Sequence, residues 1–245
     1  MAITAQTRTE LVQLVVSMLG EAPSTAMLTD LVTKANAGST IQELADGLAT
    51  NAAFTSQFPV WQTATEFTTK IVNNMFAGGT VSKADTDAAI DYIAGAITAG
   101  TFSKTSAVVA LTSYMASADG VANATYGSAS QSYQNKVAVA EYYTITKGLG
   151  DGTAAERKAA IAGVTADAAT VTSEKAAVDT SATAAAVIPG SSQTLTTGTD
   201  VKNGGAGDDS FLGVVGATST LNAGDLLTGG AGYGTSSGNA EFYYN

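Results

Sequence analysis

The residues best suited to chemistry lie near the C-terminus. Asp200-Val201-Lys202-Asn203-Gly204-Gly205-Ala206-Gly207-Asp208-Asp209 is echoed by Asp225-Leu226-Leu227-Thr228-Gly229-Gly230-Ala231-Gly232-Tyr233-Gly234. Each run sets an Asp, then Gly-Gly-Ala-Gly, then a last turn position nine residues after the Asp. The first continues into Ser210-Phe211-Leu212 and completes Gly-Gly-x-Gly-x-Asp-x-U-x, with U apolar. That nonapeptide is a calcium-binding turn of a parallel β-solenoid. Its glycines take backbone angles that other residues resist, so carbonyls and carboxylates can converge on one cation. Ca2+ takes about six to eight oxygens, so the next coil must complete the shell. The candidate metal positions are Asp200, Asn203, Gly205, Gly207, Asp208 and Asp209 in the first run, and Asp225, Gly230 and Gly232 in the second. The nine-residue step is expected to set Asp200 and Asp209 one above the other on successive turns. Gly234 stands where the second motif wants Asp, so a second site would be weaker or incomplete. Without metal, both runs are Gly-rich loops.

Other chemistry is scarce. The chain has no Cys and no His. Thiolate nucleophiles, imidazole metal sites and His-based triads are therefore excluded. Asp85, Asp87 and Asp91 share a helical neighbourhood. Acids in a first helical turn offset the dipole, and that reading outweighs a catalytic pair. No Gly-x-Ser-x-Gly elbow stands out, and no Lys-Ser/Thr follows a Gly-rich run, so neither a hydrolase triad nor a phosphate loop is indicated. Trp61, after Phe58-Pro59, and Tyr126 and Tyr133, flanking a Gly/Ser stretch, are candidate sugar-stacking residues. Burial in a core is the commoner fate of such rings.

The composition fits a structural protein better than an enzyme. Of 245 residues only 13% are charged, 26 are Gly, and the net charge is −10. Nucleic-acid binding needs clustered Lys and Arg, and the two Arg, Arg8 and Arg157, are far apart in sequence. An acidic surface favours solubility and suits a medium rich in divalent cations. No stretch of about eighteen apolar residues is present, so no membrane span is expected. The N-terminus lacks the pattern of a signal peptide. With the calcium motif, this points to one-step type I secretion and an extracellular, cell-surface location.

The elements that must position these groups fall in two parts. Residues 7–178 read as helices. Leu11, Leu14, Val15, Met18 and Leu19 recur at helical spacing, and Gly20 and Pro23 end that helix. Ser24 opens the next, with Met27, Leu28, Leu31 and Val32 inward. Thr40 with Glu43 makes a capping box for a helix carrying Ile41, Leu44, Leu48 and Phe54. Helices are expected over 66–76, 82–99 and through Val108, Leu111 and Met115. Met18-Leu19-Gly20 and Met75-Phe76-Ala77-Gly78 occupy equivalent places, giving a degenerate three-helix repeat of about 57 residues. Residues 118–128 read as a loop, 130–147, 154–162 and 166–178 as helices, and 180–186 as low-complexity. After Gly190 the chain turns β-prone, with Gln193-Thr194-Leu195-Thr196-Thr197 leading into the nonapeptides. The expected class is α+β. A helical domain, 1–188, is expected to be followed by the start of a calcium-binding β-roll, 189–245, either cut short of a longer solenoid or a natural short subunit.

The residues Met18-Leu19-Gly20-Glu21-Ala22-Pro23, Ile41-Gln42-Glu43-Leu44-Ala45 and Asn51-Ala52-Ala53-Phe54 resemble a helical repeat domain common in exported bacterial RTX and surface-layer proteins. Asn135 to Tyr143 resembles those proteins too. Leu195-Thr196-Thr197-Gly198-Thr199-Asp200, running into Asn203-Gly204-Gly205-Ala206-Gly207-Asp208-Asp209, is similar to the junction in Caulobacter-type surface-layer proteins. The resemblance implies a helical domain that binds the O-polysaccharide of lipopolysaccharide, joined to a Ca2+-dependent β-solenoid that forms a homo-oligomeric lattice. It transfers no individual sugar-contacting residue. A type I secreted filament or adhesin subunit is the alternative, and a non-catalytic part of a secreted RTX hydrolase a second.

Overall fold

The computed structural model describes residues 3–186, 192–203, 210–214, 218–228 and 241–243. It is mostly helical with a few short strands, an α+β chain. The helices are α1 Ala5–Leu19, α2 Thr25–Asn36, α3 Ile41–Leu48, α4 Ala52–Gln57, α5 Ala64–Phe76, α6 Lys83–Thr98, α7 Lys104–Met115, α8 Ala118–Ala122, α9 Gly127–Glu141, α10 Ala154–Ala162 and α11 Ala168–Ala186. Two compact units emerge, Met1–Val178 and Asp179–Asn245. The division falls within α11, ten residues before the boundary read from composition.

Helix starts follow the capping rule that side-chain oxygens satisfy orphan N–H groups. Thr4, Ser24, Thr40, Thr63, Ser82, Ser103 and Thr153 each accept from a backbone N–H in the first turn. Thr40/Glu43, Thr63/Glu66 and Thr153/Glu156 close full capping boxes, and these hydrogen bonds hold the three glutamates below the usual carboxylate range. Gly20 ends α1 in the left-handed conformation, φ +68°, where a Cβ would clash with the backbone.

The core of the first unit forms around α1 and α9. Leu11, Leu14, Val15 and Met18 are wholly buried. α9 packs on α1, α5, α7, α8 and α10. The repeat is visible as α1–α2–α3 and α5–α6–α7, with α1 against α5 and α3 against α7. Phe54 belongs to its own short helix, α4, and stacks on Phe58 at 4.6 Å. Residues 118–128 are not a plain loop, because Ser117 caps α8 there. α9 starts earlier than expected and passes into a π-helical turn, Tyr142–Thr146. The low-complexity stretch 180–186 is the end of α11; its alanines carry the highest helix propensity.

The second unit contains β1 Ser192–Thr194, β2 Val201–Asn203, β3 Ser210–Leu212, β4 Leu226–Thr228 and β5 Glu241–Tyr243. They form two parallel sheets, β1-β3-β5 and β2-β4. Ser192 pairs with Ser210, Val201 with Leu226, and Ser210 with Glu241. Leu195 and Phe211 are its buried apolar side chains among the described residues.

Candidate functional site

The aspartates at the entrances to β2 and β4 form a ladder. Asp200 is 6% exposed. Its Oδ2 accepts from the Thr196 N–H at 2.7 Å and the Thr196 hydroxyl at 3.2 Å, closing its own turn. Asp225 does the same one strand away, Oδ2 accepting from the Asn222 N–H at 2.7 Å. Asp225 Oδ1 then reaches across to accept the Asp200 N–H at 2.8 Å, and the Leu226 N–H returns a bond to the Asp200 carbonyl at 2.8 Å. The Asn222 amide donates to the Gly198 carbonyl at 2.9 Å. The Lys202 ammonium lies 3.8 Å from Asp200 Oδ1.

The residue aligned with Asp200 across the strand pair is Asp225; the expected stacking of Asp200 on Asp209 falls on a residue outside the described ones. Strands begin at residues 192, 201 and 210 and alternate between the two sheets. Described strands that start nine residues apart therefore lie in different sheets. Of the proposed metal positions, Gly205, Gly207, Asp208, Asp209, Gly230 and Gly232 lie outside the described residues; Asn203 is the last residue of β2. No group of three or more His, Cys, Asp or Glu that could hold a metal occurs among the described residues.

The aromatic candidates separate by burial. Tyr133 is 0% exposed. It ends a buried chain in which the Thr112 hydroxyl donates to Ser17 Oγ at 2.7 Å, Ser17 to Tyr133 at 2.9 Å, and Tyr133 to the Gln13 carbonyl at 2.8 Å. It cannot reach a polysaccharide, and its assignment as a sugar contact is withdrawn. Burial pushes its hydroxyl pKa well above the ordinary value. Tyr126 is half-buried against Phe76, ring centres 5.5 Å apart, and donates to the Asp85 carbonyl at 3.3 Å. Trp61 is 77% exposed.

A polar bowl that the sequence did not reveal lies among α2, α3, α4 and α10. It holds about 740 Å³, with Asp30, Lys34, Glu43, Asn51 and Arg157 on its walls and Leu31, Leu44 and Leu48 beneath. Lys34 pairs with Asp30 at 2.8 Å. Arg157 is anchored by Glu21 at 2.8 Å and by the Gly152 carbonyl, while its buried Nε has no partner. Cap residues Ser24 and Asn51 also face the bowl. Caps are spaced by helix length, so no linear motif announces such a site.

No family model matches the chain, and no curated protein matches it closely enough to be called a relative. Among the described residues no helix is long and apolar enough to cross a membrane.

Proposed function

We propose that the chain is a structural, non-catalytic subunit of a bacterial surface layer. Its helical unit attaches to lipopolysaccharide O-polysaccharide, and its strand unit begins a calcium-dependent β-roll through which the layer assembles. The observation that carries this reading is the strand rhythm. The first three strands start nine residues apart, at 192, 201 and 210, β4 and β5 follow at 226 and 241, and the five fall alternately into two parallel sheets, the path expected of a solenoid with two strands per coil. The Gly-Gly-Ala-Gly-Asp-Asp turn lies in sequence between the second strand and the third.

The donor set of that turn is all oxygen: carboxylates, an amide and glycine carbonyls, which suit a hard cation such as Ca2+. Asp200 Oδ2 is occupied by its own turn, so Oδ1, which faces the Lys202 ammonium at 3.8 Å, would be the Asp200 donor for an ion shared with Asn203, Gly205, Gly207, Asp208 and Asp209. Bound there, Ca2+ would neutralise crowded carboxylates, while Asp200 and Asp225 hold the turns in register.

The bowl suits a neutral sugar. Its carboxylates, amide and cations match hydroxyls that both donate and accept, and its leucine floor suits the C–H faces of a ring. Trp61 adds an exposed stacking surface. Individually weak contacts become firm attachment when many subunits bind together. The test adds purified protein to cells stripped of their surface layer, with and without O-polysaccharide, in calcium or chelator. Rebinding is expected to need both. Equal rebinding to cells lacking the polysaccharide removes the anchoring role and leaves a self-assembling filament.

A further inference from the structure

The walls between α1 and α7 have an unusual polarity. A packed helix turns an apolar stripe to its neighbours, and α1 does so with Leu11, Leu14, Val15 and Met18. A second stripe of α1, at the helical spacing i, i+3, i+4 and i+7, reads Gln6, Thr9, Glu10 and Gln13. It lines a cleft of about 420 Å³. α7 lines the same cleft with Thr112 and Ser113, and Ile41 and Val109 add aliphatic surface. That volume lies in the range of pockets that enclose a compact ligand, about 300–1,000 Å³.

The buried hydroxyl relay fixes what the cleft offers. Tyr133 donates to the Gln13 carbonyl, which has no proton to return. Ser17 must then donate to Tyr133, and Thr112 to Ser17. Every proton of the relay therefore points into the core. Thr112, only 7% exposed, is the member that lines the cleft. Its one proton is spent, so its Oγ1 can meet a ligand only as an acceptor. Hydrogen bonds in series polarise one another, which strengthens that acceptor. The Gln13 side-chain amide and the Ser113 hydroxyl make no hydrogen bond among the described residues. Glu10 Oε1 accepts from the Gln6 amide at a long 3.3 Å.

The cleft thus holds a fixed acceptor, a carboxylate, an amide that both gives and takes, and an uncommitted hydroxyl. A ligand that matches all four carries several hydroxyls, each able to donate and accept. The Glu10 carboxylate disfavours an anion, since like charges repel. Ile41 and Val109 suit the C–H face of a ring. We infer that the cleft between α1 and α7 binds a neutral sugar unit, with Thr112 Oγ1 as the acceptor that sets its orientation. This deepens the polysaccharide reading and rests on it for the source of the sugar. Ile41 borders the cleft while Glu43 and Leu44 border the bowl, so the two sites share α3 as a common wall. Two linked contacts on one glycan hold it more firmly than either alone.

The test titrates the full chain, isotope-labelled and held unassembled by chelator, with the methyl glycosides of glucose, mannose, galactose and rhamnose. Each is taken to about 100 mM, enough for a Kd on the order of 1–10 mM. NMR follows the Gln13 side-chain amide and the Ser113 backbone amide. At least one glycoside should move both signals to saturation. Thr112→Ser keeps the acceptor and should bind as the wild type does. Thr112→Val should weaken binding by roughly three- to tenfold, the factor for one hydrogen bond. If Thr112→Val fails to match the wild-type circular dichroism, Gln13→Ala, read at Ser113, takes its place and should weaken binding likewise. Signals that move for none of the four glycosides overturn the inference, and so does equal affinity in the wild type and the acceptor variant. The anchoring role is judged separately, by cell rebinding. Rebinding that needs O-polysaccharide while the cleft signals stay fixed would remove the cleft and keep the anchor. Cleft signals that move while cells rebind without polysaccharide would do the reverse.

Discussion

Lys136 sets an ionic cost inside the helical unit. It is 6% exposed, and among the described residues its hydrogen bond is to the Ala77 carbonyl at 2.7 Å. Burial pushes its pKa down to about 8 from 10.5. Below the lower value both folded and unfolded chains hold the proton, and the full burial cost is present. Between the two values the unfolded chain binds more protons, so stability rises with pH, by roughly 1–3 kcal/mol over the window. Buried Tyr133 acts oppositely, since its raised pKa makes stability fall once unfolded tyrosine ionises near about pH 10. Urea denaturation between about pH 7 and 10 should therefore show a rise that Lys136→Met flattens. The Ala77 carbonyl would keep the Ser132 hydroxyl at 2.9 Å, so the variant leaves no orphaned acceptor. A slope unchanged in Lys136→Met would place the proton elsewhere. Tyr133→Phe should cost roughly 1–3 kcal/mol in the same assay, because Ser17 loses the oxygen it donates to. The sequence marked Tyr133 as an aromatic beside a loop. It could not show that Ser17 and Thr112, distant in the chain, wait for its hydroxyl.

At the scale of elements, the helices that announce themselves are those with a Ser or Thr cap and a periodic apolar stripe, such as α2, α3 and α5. The misread ones lack a stripe. α8 has five residues, rich in Gly and Ala, which look like loop composition. Its Gly120 is there for contact, since a Cβ would meet the Tyr114 carbonyl oxygen at 2.2 Å. α11 looked low-complexity after residue 178 because Thr, Ser and Ala give it no apolar face. Of the site residues, the calcium motif was legible because it is contiguous, whereas the bowl is assembled from four helices. Glycine roles can be tested directly. At Gly79 a Cβ would lie 2.4 Å from the Ala129 Cα and 2.6 Å from its nitrogen. Backbone cannot yield as a side chain can, so Gly79→Ala should force the α5–α6 turn off α9 and cost about 1–3 kcal/mol or more. Gly95, on α6, has nothing within 4 Å of that position. Gly95→Ala should stabilise by about 0.5–1 kcal/mol through lower unfolded-state entropy. Thermal midpoints that move in the same direction for both variants would contradict the contact argument.

Over the whole molecule, the two units are stabilised by different means. The first has a continuous apolar core through α1, α5, α7 and α9. The second buries little apolar surface among its described residues, and the paired Val201 and Leu226 remain largely exposed. Its described order depends on aspartates that satisfy turn amides, and on the proposed reading a calcium ion at the adjoining Gly-Gly-Ala-Gly-Asp-Asp turn completes it. Metal-dependent folding of this unit is the consequence of that proposal. Chelation should therefore leave the helical circular dichroism nearly intact and abolish the strand contribution, with calcium restoring it. Asp225→Ala should have a related, sharper effect. It strips acceptors from the Asp200 and Asn222 N–H groups together, and each lost partner costs roughly 1–3 kcal/mol. Calorimetry in calcium should then show the second unit's transition lowered or lost, while the helical transition keeps its midpoint. Loss of all helix on chelation, or equal displacement of both transitions in Asp225→Ala, would mean that the chain folds as one cooperative body and that the aspartate ladder supports the helices as well.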